Sequence, residues 1–136
     1  MANWEGFLRE AHKFWTVAEV AYDGAHGNQA ASNAILAVIA ANDAICLHFL
    51  GERPGGESHG EAARFLKDAC RGTRWERDAA KRAAQFTSIV REKNAAQYEG
   101  RPIGPETAER IMKQAKRFID WADGVLPDLP VSPQDE

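Results

Sequence analysis

Apolar residues return every three or four positions over long stretches of the chain, and short runs rich in glycine and proline separate these stretches. This spacing is typical of amphipathic α-helices, and no segment alternates with the period of two that a half-buried strand shows. The pattern therefore predicts five helices and no sheet. Because the connections are short, we expect neighbouring helices to be antiparallel, which gives an all-α, five-helix antiparallel bundle.

The first two predicted helices differ in how much of their circumference is apolar. From about Asn3 to Tyr22 the apolar residues keep to one stripe, as in a helix with one face in the core. The second helix, capped by Asn28 and running to about Leu50, is apolar nearly all round, which predicts the central helix. Polar residues interrupt it at Ser32, Asn33, Asn42, Asp43 and His48. These interruptions favour a buried core helix over a membrane span.

Capping signals place the other three helices. Ser58–Glu61 and Thr73–Glu76 both have the Ser/Thr-x-x-Glu pattern of a capping box, in front of the third and fourth helices. The fourth helix continues toward Tyr98. Pro105 suits the first turn of a fifth helix.

Length and composition agree with one soluble domain over residues 1–126, followed by an extended or frayed proline-rich tail over 127–136. The net charge of −3 excludes a protein that binds nucleic acid through its overall charge, so such a role needs a local basic patch. The N-terminus lacks the basic and apolar regions of a signal peptide. Cys46 and Cys70 both lie in apolar helical patterns, as buried thiols do. We therefore expect a cytoplasmic protein with no membrane association.

Most catalytic motifs are missing from the sequence. It contains no G-x-S-x-G, no phosphate-binding glycine loop, no H-E-x-x-H and no Cys/His cluster. We expect no cofactor and no metal. His48 is the only histidine in the predicted central helix, where a structural role is favoured.

Polar residues gather late in the fourth helix. Arg91, Asn94 and Tyr98 have the spacing i, i+3, i+7, which places them on one face, and Lys93 lies alongside. Arginine binds phosphate bidentately, and asparagine and tyrosine can position the groups around it. The alternative is a basic last turn that only complements the helix dipole.

Asn42 and Asp43 are the other unusual polar residues, because they interrupt the most apolar helix. A buried carboxylate is costly unless it is paired, so we expect Asp43 to have a cationic partner or water. Two interpretations stay open: the pair reaches a wet interface or bundle end, or it faces Arg91 and its neighbours.

The motif Arg91-x-Lys93-Asn94-x-x-x-Tyr98, late in the penultimate helix, resembles the HEPN domains (higher eukaryotes and prokaryotes nucleotide-binding), particularly small prokaryotic members. The following Glu-Gly-Arg-Pro-Ile-Gly-Pro-Glu and the helix ending near Trp121 share the resemblance. It implies a dimer of bundles whose motif helices meet at a cleft. Active members cut RNA without metal, through an arginine and a histidine in an R-x(4–6)-H pattern.

The histidine of that motif is missing here. Counted from Lys93–Asn94, its position falls on Tyr98, and no histidine follows His59. Arg53-x(5)-His59 fits the pattern formally but lies in a Pro-Gly loop. Tyrosine, with an ordinary pKa near ~10, is a poor proton shuttle at neutral pH. The resemblance therefore implies a binding cleft more than a nuclease site.

We expect a homodimeric HEPN-like domain that is not an enzyme. It would bind a nucleotide or RNA, or act as the non-catalytic partner of a cognate protein in a prokaryotic defence or toxin–antitoxin type system. The binding residues would be Arg91, Lys93, Asn94 and Tyr98, with Asn42 or Asp43 opposite.

Two alternative functions remain. A divergent, metal-independent ribonuclease would use Arg91 with Tyr98, or with His48 from the second helix. A purely structural protein would use the same face only to dimerise.

Overall fold

Five helices carry almost all of the described chain, which confirms the all-α helical bundle. A computed structural model describes residues 3–54 and 59–129, and of His59 only the backbone. The helices are α1 (Trp4–Asp23), α2 (Gly27–Leu50), α3 (His59–Cys70), α4 (Glu76–Tyr98) and α5 (Pro105–Val125). Within these described ranges no residue forms a strand.

Helix α2 is the centre of the bundle, as its apolar circumference predicted. It packs against all four other helices. Seven of its buried residues are alanines, whose small side chains let the surrounding helices approach closely: Ala30, Ala31, Ala34, Ala37, Ala40, Ala41 and Ala44. By length and composition alone α2 is the one described helix that is apolar enough to cross a membrane. In this fold 56 % of that apolar stretch is buried inside the bundle, and Leu36 and Leu50 are exposed.

Contacts at the two ends of α2 show how the neighbouring helices run. At the C-terminal end of α2, which we call the lower end, the Trp4 ring of α1 lies 5.3 Å from the His48 ring, and the Phe49 ring lies 6.0 Å from that of Trp75, just before α4. At the N-terminal end of α2, which we call the upper end, Asn28 contacts Ile103 in the connection after α4. Helices α1 and α4 therefore both run antiparallel to α2.

Helix α3 forms the exception to this antiparallel arrangement. The Asn42 amide, midway along α2, donates to the carbonyl oxygen of Ala62 near the start of α3. Because α4 begins beside Phe49 at the lower end, the short segment after Cys70 shows that α3 also ends there. Helices α2 and α3 thus run in the same direction.

The predicted helix starts are confirmed at some positions and corrected at others. Asn3 caps α1, accepting from the Gly6 amide at 3.0 Å, and Pro105 is the first residue of α5. Helix α2 begins two residues earlier than expected, with His26 as its N-cap, so Asn28 lies inside it and does not cap it. The Asn28 side chain instead accepts a hydrogen bond from the Ile103 amide at 2.7 Å, which satisfies the backbone of the α4–α5 connection.

The capping box expected at Thr73–Glu76 does not form, because α4 begins two residues later than the box predicts. Trp75 is the N-cap of α4, and Thr73 Oγ1 accepts from the Trp75 amide at 3.2 Å while it donates to the Cys70 carbonyl. Glu76 reaches back to the Gly72 amide rather than to Thr73. The other expected box begins at Ser58, which lies outside the described residues. Of the predicted tail, Pro127 to Leu129 are described, and Leu129 packs against the core.

Candidate nucleic-acid interface

The C-terminal half of α4 has one side in the core and one side in solvent. Ile89, Val90 and Ala96 are buried. Arg91 and Asn94 are exposed, and Tyr98 is 93 % exposed. A large aromatic ring so exposed has its stacking faces available to a ligand.

Arg91, Asn94 and Tyr98 line the same open depression, and we call these three residues the α4 stripe. The depression also includes Thr87, Val90, Ala95 and Glu99. Two helical turns separate Arg91 from Tyr98, about 10 Å along the axis. A guanidinium, an amide and an aromatic ring thus stand in one row, which suits contacts with successive phosphates and bases.

Lys93 lies on the other flank of α4 from the α4 stripe. It lines a partly open hollow of about 180 Å³ between α4 and the upper end of α2, which we call the α2–α4 pocket. Its lining residues are Asn28, Ser32, Lys93, Gln97, Arg101 and Ile103. The four α4 residues predicted as one site are therefore divided between two surfaces.

Two glycines and one asparagine shape the α2–α4 pocket. Gly100, at φ 66°, ends α4 in the left-handed conformation and turns the chain toward Arg101. Gly27 allows the α4–α5 connection to approach α2, since a Cβ on it would lie only 2.5 Å from the Ile103 carbonyl oxygen. The hydrogen bond from Ile103 to Asn28 then fixes the connection in place.

The contacts of Asn42 go to α3. Its side chain is 2 % exposed and donates to the Ala62 carbonyl oxygen at 3.3 Å. Its Oδ1 atom is buried without a hydrogen-bond partner among the described residues. No described contact joins Asn42 to the α4 stripe.

Asp43 pairs with Arg53, in the segment after α2, at 3.5 Å. The Arg53 guanidinium also lies 4.5 Å from the centre of the Phe7 ring. Burial raises the pKa of the Asp43 carboxyl from 3.8 to about 6, against the lowering effect of Arg53. The cationic partner expected for Asp43 is thus present, and it belongs to the lower part of the bundle rather than to α4. Arg53 is the arginine of the formal R-x(5)-H pattern, whose histidine side chain at His59 lies outside the described part.

His48 lies at the opposite end of the bundle from Tyr98. About 20 residues of α2 separate it from Asn28, which is about 30 Å at ~1.5 Å per residue. Its ring stacks edge-on between Trp4 and Phe49. Proton transfer needs contact at about 3 Å or through one water, so His48 is out of reach of the α4 stripe.

Three further side chains with acid–base or nucleophilic chemistry, those of His12, Cys46 and Cys70, are engaged or buried away from the α4 stripe. His12 of α1 contacts Asp123 of α5 at 2.9 Å. Burial raises the pKa of the Cys46 thiol to about 12 and that of Cys70 to about 11, so neither supplies a thiolate. The α4 stripe itself offers a guanidinium, an amide and an aromatic ring, groups that can bind phosphates and bases.

Sequence reasoning did not find Asn28, Ser32 and Ile103 as site residues. They belong to no motif, and only the tertiary fold brings them to Lys93. One signal was available, since Lys93 and Gln97 are four residues apart and so share a flank of α4 that is turned away from Arg91.

Comparison with known proteins agrees with the five-helix architecture. The sequence model of the HEPN domain matches residues 4–125, from the first residue of α1 to the last residue of α5. No curated protein and no solved structure matches the chain. Because the match extends over all five helices, the chain belongs to the HEPN domain family.

Proposed function

We propose that this HEPN domain binds single-stranded RNA on the α4 stripe and does not cleave it. Membership of the family indicates a function related to nucleotides or RNA. The observation that carries the proposal is the exposure of the Tyr98 ring beside Arg91 and Asn94 in one open depression.

The chemistry of the α4 stripe favours single strands over duplexes. Unpaired bases can stack on an aromatic ring, which contributes about 1–3 kcal/mol per base, whereas bases within a duplex are not accessible in this way. Arg91 supplies a fork of donors for phosphate, and the Asn94 amide can bond a base edge or a 2′-hydroxyl. The net charge of −3 is compatible with such local contacts, although it gives no long-range attraction.

We also propose a homodimer in which the two α4 helices border one cleft. HEPN domains often dimerise. The outer side of α4 supports this arrangement, because the small residues Ala80, Ala84 and Ser88 are exposed in line with Arg91 and allow a second helix to approach closely. A monomer at micromolar concentration in analytical ultracentrifugation would contradict the proposal.

The absence of cleavage rests on the proton chemistry. Cleavage by attack of the 2′-hydroxyl needs a group that moves protons at neutral pH, and Tyr98 is a phenol exposed to water. The proposed role is therefore that of a binding module, or a non-catalytic partner in a prokaryotic defence or toxin–antitoxin type system in the cytoplasm. Burial of α2 and the two free buried cysteines support the cytoplasmic location.

The test combines RNA binding and RNA cleavage in one experiment. Labelled single-stranded RNA is titrated with the protein in the presence of EDTA, and fluorescence anisotropy and gel analysis are read together. We expect binding without cleavage. Tyr98→Ala should weaken binding about tenfold or more, and Tyr98→Phe should retain it, because stacking needs the ring and not the hydroxyl. Arg91→Ala should weaken binding less and reduce its dependence on salt.

Arg77→Ala is the matched control. Arg77 is an exposed arginine on the same helix and nearly the same face, about 21 Å from Arg91. It removes the same charge without altering the α4 stripe. Cleavage that disappears in Arg91→Ala would show an enzyme. A protein that neither binds nor cleaves RNA would instead use the exposed Tyr98 ring for a partner protein, since tyrosine is common at interface hot spots.

A further inference from the structure

We propose that the α2–α4 pocket binds a doubly charged phosphate group, either free phosphate or the 5′-terminal phosphate of an RNA. This site lies on the flank of α4 opposite to the α4 stripe and is built from different residues. Its binding of free phosphate does not depend on the RNA binding proposed above. Only its binding of the 5′-phosphate of an RNA rests on that proposed function.

Lys93 is the main positive charge of the pocket. Its side chain is half-buried, and no carboxylate of the described chain pairs with it. Neighbouring charges on α4 are already engaged, since Glu92 pairs with Arg110 of α5. A partly desolvated ammonium group without a counter-charge favours the binding of an anion.

Arg101 supplies the second positive charge. Its Nε–H donates to Glu99, which neutralises part of the charge, while no hydrogen bond from its terminal nitrogens is recorded among the described residues. Those terminal nitrogens remain able to donate to phosphate oxygens. The hydrogen bond between Asn28 and the Ile103 amide fixes the segment that carries Arg101.

The uncharged lining residues add donors. Because Asn28 Oδ1 accepts from Ile103, the Asn28 side chain has its NH₂ group left to offer. Gln97 has an amide NH₂ and Ser32 a hydroxyl. No carboxylate of the described residues lines the pocket, although Glu99 pairs with Arg101 beside it. The two cations and three neutral donors of the lining match a ligand that is rich in acceptors and negatively charged.

The first turn of α2 and the size of the pocket both indicate a small anion as the ligand. That turn begins at Gly27 and contains no acidic residue, so the positive end of the helix dipole is not neutralised locally. The hollow of about 180 Å³ is smaller than the ~300–1,000 Å³ that encloses a drug-sized ligand. It therefore suits the phosphate end of a ligand rather than an entire nucleotide.

The first test uses inorganic phosphate alone. Titration is followed by the backbone amide NMR signals of Ser32, Lys93 and Gln97, with the full chain. Lys93→Gln should weaken phosphate binding about tenfold, the effect of losing ~1.4 kcal/mol of interaction. Glu99→Gln should strengthen binding, because it releases Arg101, an outcome that a merely structural role of these residues would not produce. Lys81→Gln removes an exposed lysine from the same helix, about 18 Å away, and should leave binding unchanged.

The second test identifies the source of the phosphate and uses RNA of one sequence with either a 5′-phosphate or a 5′-hydroxyl. A preference for the phosphorylated RNA that disappears in Lys93→Gln assigns the pocket to RNA ends. Equal binding of the two RNAs, together with binding of inorganic phosphate, assigns it to free phosphate.

The two proposals fail in different ways. If neither RNA binds but inorganic phosphate does, the RNA function of the α4 stripe fails and the pocket remains. The pocket proposal is overturned if phosphate shifts none of the three amide signals, or if Lys93→Gln binds phosphate as tightly as the wild type. Thermal melts of each variant confirm that the loss of binding is not a loss of folding.

Discussion

The polar pair in α2 and the α4 stripe contain similar side chains in opposite environments. Each joins an asparagine to a charged residue, Asn42 to Asp43 and Asn94 to Arg91. Asn42 is 2 % exposed and bonded to α3, whereas Asn94 is exposed on an open surface. Polar groups whose partners lie inside the fold affect its stability, and polar groups without internal partners are available to a ligand.

The buried polar pair in α2 lacks part of its hydrogen bonding among the described residues, which makes its difference from the α4 stripe larger. Asn42 Oδ1 has no hydrogen-bond partner among the described residues, and a buried acceptor left unpaired costs about 1–3 kcal/mol. Among the described residues, Asp43 has the pair with Arg53 against its burial. The α2 pair thus lowers stability, while the α4 stripe has little effect on it.

The largest expected effect comes from one substitution made in both places. Asn42→Asp puts a carboxylate of the same size into a buried site beside Asp43, and should lower the free energy of unfolding by about 3 kcal/mol at pH 7.5. Asn94→Asp makes the same chemical change on the surface, and should cost less than about 1 kcal/mol. Urea denaturation of both variants measures the difference.

Equal losses in the two variants would contradict the contrast between the regions. A second control is Asn42→Leu, which removes the unpaired Oδ1 and keeps the branching at Cγ, at a larger side-chain volume. It should cost less than Asn42→Asp, because it leaves no buried charge. A large loss in Asn42→Leu would mean that the hydrogen bond to Ala62 stabilises α3 more than we infer.

The sequence predicted the fold because helical periodicity is local. The apolar circumference of α2 identified the central helix, and Pro105 and Asn3 marked two helix starts correctly. The prediction that Asn28 caps α2 was wrong for a physical reason. A side chain that can cap its own helix can equally accept a hydrogen bond from a distant backbone amide, and the Asn28 side chain accepts from the Ile103 amide.

The candidate site was predictable only within one helix. The spacing of Arg91, Asn94 and Tyr98 placed them on a common face, and they do line one depression. Helical spacing does not show which neighbouring helix packs beside Lys93. The sequence therefore did not predict that Lys93 lies in the α2–α4 pocket, apart from the α4 stripe. The interpretation that Asn42 and Asp43 face Arg91 needed the directions of α3 and α4, which the sequence does not contain.

A smaller effect is expected where α2 meets the end of α4. Gly27→Ala places a Cβ 2.5 Å from the Ile103 carbonyl oxygen, a backbone atom that cannot move cheaply. The loss of stability should be about 1–3 kcal/mol, as for other overpacked sites, and phosphate binding in the α2–α4 pocket should weaken. Denaturation and the phosphate titration measure both effects.

Gly124→Ala is the counterpart of this substitution in α5. Apart from the backbone of α5 itself, no atom of the described residues lies within 4 Å of its added Cβ, so alanine should raise stability by about 0.5–1 kcal/mol through its lower backbone entropy. If Gly27→Ala were also stabilising, the close approach of the α4–α5 connection to α2 would be wrong.

The smallest effect concerns the charge of Asp43. Its folded-state pKa of about 6 lies above the ordinary 3.8, so between these values the folded protein binds more protons than the unfolded chain. The contribution of this group to stability is therefore present below about pH 4 and is lost as the pH rises through about 6. Asp43→Asn cannot titrate. Relative to the wild type, the variant should gain on the order of 1 kcal/mol between pH 4 and pH 7.

Arg53→Gln tests the cause of that shift. Arg53 lowers the carboxyl pKa against the larger effect of burial, so its removal should move the Asp43 titration, followed by carboxyl-carbon NMR, to a pH above about 6. A titration that moves toward 3.8 would mean that Arg53 keeps the carboxyl out of water, and that its removal exposes Asp43. Asp43 would then resemble the solvent-facing residues of the α4 stripe, and the contrast between the two regions would come from the position of one arginine rather than from the packing of α2.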